Sequence, residues 1–217
     1  MSPSIAERLA RLDWAAIGAS LDEWGHARTP VLLTPAECAE LRALYTEETR
    51  FRSRVDMARL RFGVGEYKYF ADPLPTVVGE LREHAYAPLA AIANRWEAAL
   101  KTRVRHPADL TGLLALCARR GQTKPTPLLL HYLSGGYNCL HQDLYGEVVF
   151  PIQLTVLLSE PGKDFEGESS CSSSSGHARS RAAASSIWIR ARPSSSPPDT
   201  GRWRARAATT AATCATA

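Results

Sequence analysis

His141 and Asp143 stand two residues apart in the heptapeptide HQDLYGE, directly before a run of strand-forming residues. On a strand, or a strand entering a turn, side chains at i and i+2 point to the same face. A neutral imidazole nitrogen and a carboxylate oxygen held this way can bind one metal ion, with a further ligand from elsewhere in the chain. Two histidines and one carboxylate form the facial triad of non-haem Fe(II) oxygenases, whose open positions take co-substrate and O2. The bare pair also has a plainer reading, as a surface histidine and a helix-capping aspartate. His131 lies in an apolar strand and reads as a packed core histidine. Lys68, between the aromatics of EYKYF, reads as a solvated strand-face lysine, with a place at a substrate entrance as the alternative. Cys139 sits beside the pair. No cation nearby would lower its pKa, so it reads as an inert buried thiol. Neither a Gly-rich phosphate loop nor a GxSxG nucleophile elbow occurs.

The elements that must position this pair follow from periodicity and punctuation. Ile5, Leu9, Leu12, Trp14, Ile17, Leu21 and Trp24 recur at helical spacing, which predicts one amphipathic helix over residues 5–24, stopped by Gly25. ARTPVLL predicts a short strand. Thr34-Pro35-Ala36-Glu37 has the form of a helix start, with Thr34 as cap, Pro35 in the first turn and Glu37 closing a capping box. Cys38, Leu41 and Tyr45 supply its buried stripe. FRSRVDMARLRFGVGEYKYF predicts a hairpin or two short strands. Leu74 to Leu100 is helical in pattern, with a break or kink expected near Tyr86 because of Pro88. A further helix is expected from Pro107 through Leu114. PTPLLLHYL then predicts a buried strand, SGGYN a turn, and VVFPIQLTVLLSE a strand whose internal proline marks an edge or bulge. Helices followed by strands argue for an α+β fold with a sandwich or barrel core.

Length suits one domain with a core of its own. No apolar run approaches the ~18 residues of a membrane span. The N-terminal residues lack the pattern of a secretory signal. Five scattered cysteines without a CxxC pair fit a reducing cytoplasm. The net charge of +4 is unevenly spread. From Ser169 onward there are seven arginines and one acid, a balance of +6, which leaves −2 for the rest.

At Glu168 the composition changes. The segment SSCSSSSGHARSRAAASSIWIRARPSSSPPDTGRWRARAATTAATCATA has no Leu, Val, Phe, Tyr, Met, Lys, Glu, Gln or Asn. Such a composition buries little apolar surface against its ordering entropy. It reads either as a disordered basic arm or as a shifted reading frame. GC-rich codons read out of phase yield Ser, Ala, Arg, Thr and Pro. Shifting a GC-rich back-translation of Ser169 to Ser175 by one base gives a valine-rich string that would continue a sheet. The same operation across Pro198 to Arg206 yields a string containing His and Arg. The chain therefore divides into an N-terminal helical segment (1–25), a main domain (26–168) and a Ser/Ala/Arg-rich tail (169–217) that is expected to be out of frame.

The stretch HYLSGGYNCLHQDLYGEVVFPIQLTVLLSEPGKDFEGE resembles the Fe(II)/2-oxoglutarate-dependent dioxygenase superfamily. Within it, the likeness is to a bacterial branch near prolyl-hydroxylase-like proteins and oxygenases of alkylated-DNA repair. GEYKYFADPLP and IANRW extend the resemblance upstream, over most of residues 26–168. It implies a double-stranded β-helix (jelly roll) flanked by helices, here incomplete at its C-terminus. It implies Fe(II) held by His141, Asp143 and a distal histidine, with 2-oxoglutarate and O2 as co-substrates. A basic residue beyond that histidine would pair with the far carboxylate of 2-oxoglutarate, as a guanidinium fork suits. Tyr132, on the strand before the pair, is placed either to bond the co-substrate through its hydroxyl or to pack in the core.

The sequence departs from the family pattern downstream. The only histidine after Asp143 is His177, inside the Ser/Arg segment and too near the pair to be the distal ligand. Arg202, Arg204 and Arg206 fall near the place of the co-substrate arginine but lack its strand. The expected function is an Fe(II)/2-oxoglutarate dioxygenase acting on alkylated DNA, or on a prolyl or other peptide side chain. The chain as written is expected to be inactive for want of the distal histidine and arginine. A non-enzymatic module with a basic nucleic-acid-binding tail is the remaining alternative.

Overall fold

The structure, a computed structural model, describes residues 2–61, 63–138, 146–165 and 186–191, with Ile189 the one described side chain of the last stretch. Two helices, not one, open the chain: α1 (Ile5–Ala10) and α2 (Trp14–Trp24). The reason is Asp13. Its carboxylate accepts from the Ala16 N–H at 2.9 Å, so it caps a new helix and ends the old one. Gly25 closes α2 in the left-handed conformation (φ 70°), as expected for a helix stop.

Strand β1 (His26–Val31) leads into α3 (Pro35–Ala43). The expected capping box is present: Thr34 Oγ1 accepts from the Glu37 N–H at 3.2 Å, and Glu37 returns a carboxylate to the Thr34 N–H at 2.7 Å. Arg8 of α1 forks onto Glu37 at 2.6 and 2.8 Å, which ties α1 to α3. This guanidinium, with the Thr34 cap, holds the Glu37 carboxyl at about 2, against the burial that pushes it up.

Strand β2 (Phe51–Asp56), a 3-10 turn at Ala58–Leu60, β3 (Gly63–Val64) and β4 (Glu66–Phe70) supply the expected hairpin region. Helix α4 (Thr76–Ala99) then runs unbroken through Pro88. The proline removes one backbone donor, but the orphaned carbonyl belongs to His84, an exposed residue that water can reach. Val78, Leu81, Leu89 and Trp96 bury the core face of α4. Helix α5 (Leu110–Arg119) starts and ends later than its expected limits, because Asp109 caps it by accepting from Gly112 at 2.7 Å.

Strands β5 (Leu128–His131), β6 (Tyr137–Asn138), β7 (Ile152–Val156) and β8 (Ser186–Ala191) complete the described elements. All named strands pair antiparallel, in the orders β1-β8-β7, β2-β4-β5 and β3-β6. The class is a mixed α+β fold with antiparallel sheets and helices at its N-terminal end. Strands and helices alternate through the first half of the chain, with β1 in ARTPVLL and β2 to β4 in FRSRVDMARLRFGVGEYKYF, rather than running as helices first and strands after. Strand β7 begins directly after Pro151 and lies at an edge of its described sheet, which suits a proline that cannot donate. β8 is drawn from the Ser/Ala/Arg-rich segment, where SIWIRA holds its one apolar cluster. Ile189 of β8 is fully buried, between Ala27 of β1 and Leu154 of β7.

Candidate active site

The sheet β2-β4-β5 sorts its residues onto two faces. Register places Lys68 opposite Arg54 and Leu129, and Glu66 opposite Asp56 and His131. Tyr67 lies opposite Val55 and Leu130, and Tyr69 opposite Ser53 and Leu128. Alternation therefore gives one face to Lys68, Glu66, Phe70, Leu129 and His131, and the other to Tyr67, Tyr69, Leu128 and Leu130.

The first face carries a polar cluster that the sequence did not reveal. Tyr45 donates to Glu66 Oε1 at 2.5 Å, and the Arg54 guanidinium donates to Glu66 Oε2. His131 stacks on Tyr45 at 4.8 Å between ring centroids and brings Nδ1 to 3.8 Å from Glu66 Oε1. Burial pushes the Glu66 carboxyl up, but the Tyr45 and Arg54 hydrogen bonds outweigh it and leave the group below its ordinary value. Burial, then the Glu66 carboxylate, raises the Tyr45 phenol. The His131 side chain is 46 % exposed, so it is a surface member of this cluster and not a packed core histidine. It stands at the end of β5, where the sheet gives out.

Lys68 is corrected in the opposite direction. It is 3 % exposed rather than solvated. Its ammonium donates to the Tyr45 carbonyl at 2.9 Å and to Glu48 at 2.6 Å, and it lies 4.4 Å from the centre of the Tyr45 ring. Two acceptors and a π face replace the water that a buried charge loses. The flanking aromatics of EYKYF gave a signal, but it pointed to the other face. The partners Tyr45 and Glu48 come from a segment twenty residues earlier, which local pattern does not reach.

The second face continues past β5 to Tyr132, which stands directly after the strand rather than on it. Tyr132 is half-buried, with its hydroxyl oxygen buried. Its ring lies against Gly65: a Cβ there would come within 2.6 Å of Cδ1, so only glycine admits the tyrosine at this place. Tyr67 meets Tyr69 edge to face at 5.5 Å, and the Arg52 guanidinium lies 4.3 Å from the centre of the Tyr69 ring. Gly65, Tyr67, Tyr69 and Tyr132 thus line one wall, with Leu128 and Leu130 between them. Such a wall offers rings and a flat cation to a planar ligand.

Asn138, at the end of β6, is 9 % exposed, and its Oδ1 is buried without a hydrogen-bond donor among the described residues. An orphaned acceptor of this kind carries a desolvation cost. It lies three residues before His141. His141, Asp143 and Cys139 are outside the described residues, as are His177, Arg202, Arg204 and Arg206. Among the described residues no three His, Cys, Asp or Glu side chains gather to hold a metal ion. Tyr132 is therefore the one expected site residue whose surroundings are described. No helix among the described residues is long and apolar enough to cross a membrane.

Residues 65–190 match a family described as an oxygenase catalysing oxidative methylation of damaged DNA. The chain belongs to this damaged-DNA oxygenase family. The matched stretch opens at Gly65, holds the whole aromatic wall of β4 and β5, includes His141 and Asp143, and ends in β8. Two uncharacterized proteins of Mycobacterium tuberculosis, one from each of two strains, are 43% identical to it over 98 residues. The similarity covers 45% of this chain and 42% of each relative, so the chain spans less than half the length of these relatives. No solved structure matches.

Proposed function

We propose that the chain derives from an Fe(II)- and 2-oxoglutarate-dependent dioxygenase that hydroxylates a C–H bond on an alkylated base of damaged DNA. His141 and Asp143 would hold the iron, and Tyr132 would bond the co-substrate through its buried hydroxyl. Bound iron with 2-oxoglutarate and O2 supplies the oxidising chemistry, and the protein keeps coordination positions open and the site dry. Hydroxylation of an N-alkyl group gives a hemiaminal that loses formaldehyde and restores the base. The target base must leave its stack, or be presented on a single strand, to reach such a site.

The observation that carries this reading is the damaged-DNA oxygenase match across residues 65–190, a stretch that includes His141-x-Asp143 and Tyr132. The aromatic wall supports it, since Tyr67, Tyr69 and Arg52 offer the flat surfaces that bind bases. In this reading the antiparallel sheets belong to a jelly roll.

We further propose that the sequence as written is inactive, because it is out of frame beyond Glu168 and so lacks the distal histidine and the co-substrate arginine. Sequencing the gene across Glu168 in an independent clone tests the frame, and an unshifted frame would refute it. The activity test is Fe(II) titration followed by a 2-oxoglutarate decarboxylation assay on the chain as written and on the frame-corrected protein. Turnover is expected from the corrected protein only, stimulated by an alkylated oligonucleotide and not by a proline-containing peptide. Robust turnover by the chain as written contradicts the inactive state. Stimulation by the peptide alone contradicts the DNA substrate.

A further inference from the structure

Four of the eight large hydrophobic side chains that are exposed among the described residues gather at one edge of the molecule. Leu60 (51 %), Val64 (49 %), Leu133 (76 %) and Tyr137 (45 %) lie on the 3-10 turn, on β3, beside the Ser134–Gly135 turn and on β6. Val64 and Tyr137 are a cross-strand pair, so their side chains share a face. Gly136 joins Leu133 to this pair: a Cβ there would meet the Leu133 and Val64 carbonyls at 2.8 and 3.0 Å. Exposed apolar groups concentrated in this way mark a surface for a partner.

The charge around the edge selects the partner. Residues 50–61 hold five arginines and one aspartate. Arg54 is committed to Glu66, and Arg52 lies over Tyr69. Arg59 and Arg61 face outward. Arg59 is 85 % exposed with a 3.5 Å contact to Asp56, and exposed Arg61 has no ion-pair partner among the described residues. An apolar and aromatic edge beside two outward guanidiniums complements a polyanion with flat apolar groups between its charges.

We infer that this edge docks DNA whose stack is opened, with Arg59 and Arg61 on phosphates and Leu133 and Tyr137 against the exposed base faces. The inference rests on the damaged-DNA reading and names the surface by which that substrate is held. Apolar side chains beside arginines are a recurrent means of propping open a base step. Tyr132 follows β5 and precedes Leu133, so a base leaving the opened stack has a short path from the edge to the aromatic wall.

Fluorescence anisotropy of the full chain tests the edge, with a labelled duplex carrying a short unpaired bulge and the same duplex fully paired. In the Arg59→Gln/Arg61→Gln double variant the slope of log affinity against log salt should flatten by roughly 1.5 to 2, while Arg59→Lys/Arg61→Lys keeps the original slope. Leu133→Ser/Tyr137→Ser should weaken binding to the bulged duplex about tenfold, a loss of the size of one base stack, without changing the salt slope. These side chains are exposed, and an unchanged thermal transition will show that the variants fold. A wild-type salt slope in the Gln pair, or a retained preference for the bulge in the Ser pair, overturns the docking edge. The iron reading is separable. His141→Ala in the frame-corrected protein should abolish 2-oxoglutarate decarboxylation while leaving this binding intact.

Discussion

The two three-stranded sheets of this molecule are held together differently. The sheet β2-β4-β5 comes from one stretch of chain, residues 51–131, and one of its faces carries Lys68, Glu66 and Arg54 in hydrogen-bonded and ionic contacts. The sheet β1-β8-β7 joins residues 26–31 to 152–156 through a strand from residues 186–191, with Ile189 and Leu154 buried inside. The first sheet rests on polar groups, some supplied by its own strands and some by a segment about twenty residues upstream. The second depends on apolar closure over long sequence distance, made by six residues from a segment poor in apolar side chains. The damaged-DNA oxygenase match spans parts of both. The aromatic wall lies on the first sheet alone.

The sharpest way to break this contrast is Ile189→Asp. An unpaired carboxylate in a fully buried site of β8 should cost about 3–5 kcal/mol and abolish a cooperative urea transition. A variant that unfolds like wild type would remove β8 from the folded body. Gly65→Ala tests the local sheet at its tightest point. The position has φ +154° and lies against the Tyr132 ring, so about 2 kcal/mol of destabilisation is expected by urea unfolding, with altered Tyr132 fluorescence. Gly121→Ala, at positive φ but with open space around it, should cost about 1 kcal/mol.

The same urea measurement on Lys68→Met sharpens the polar side of the comparison. Glu48, its partner, has a 72 % exposed side chain and stays solvated when the lysine goes. The change should therefore cost about 1 kcal/mol or less, and a loss of 3 kcal/mol or more would mean that the ammonium, not its stem, holds the sheet.

Glu37 supplies a pH test outside both sheets. Its carboxyl is held at about 2 in the folded state, below the ordinary 4.5. A lowered folded pKa means stability that is present above about 4.5 and is lost as pH falls toward 2. Discounted for partial exposure, the term is about 2 kcal/mol. Glu37→Gln should remove that part of the acid-side slope in pH-dependent unfolding, and an unchanged slope would place the clamp elsewhere.

Much of this was legible in the residues, in a pattern that physics explains. The capping box of Thr34 and Glu37 acts within one turn, and it stands as read. The hairpin of β2 and β4 follows from β-type residues and nearby glycines. Asp13 was missed because the apolar spacing of Ile5 through Trp24 runs straight over it, although an aspartate before Trp14-Ala-Ala is an ordinary cap. Pro88 does not break α4, because the carbonyl it leaves unpaired belongs to the exposed His84 and the packing of α4 decides. Lys68 and His131 exchanged their expected environments because both pack on Tyr45, with Glu48 holding the lysine and Glu66 beside the histidine, side chains that only the fold brings together. Tyr132 could be singled out from sequence, but the glycine that admits its ring, Gly65, lies on another strand and carries no local sign.

The central proposal is that His141 and Asp143 hold a ferrous ion. It is tested most directly by anaerobic Fe(II) binding to the frame-corrected, full-length protein and to its His141→Ala and Asp143→Ala variants. The account predicts one iron per chain in the parent and a loss of at least tenfold in affinity in each variant. Equal iron uptake by all three proteins would contradict it.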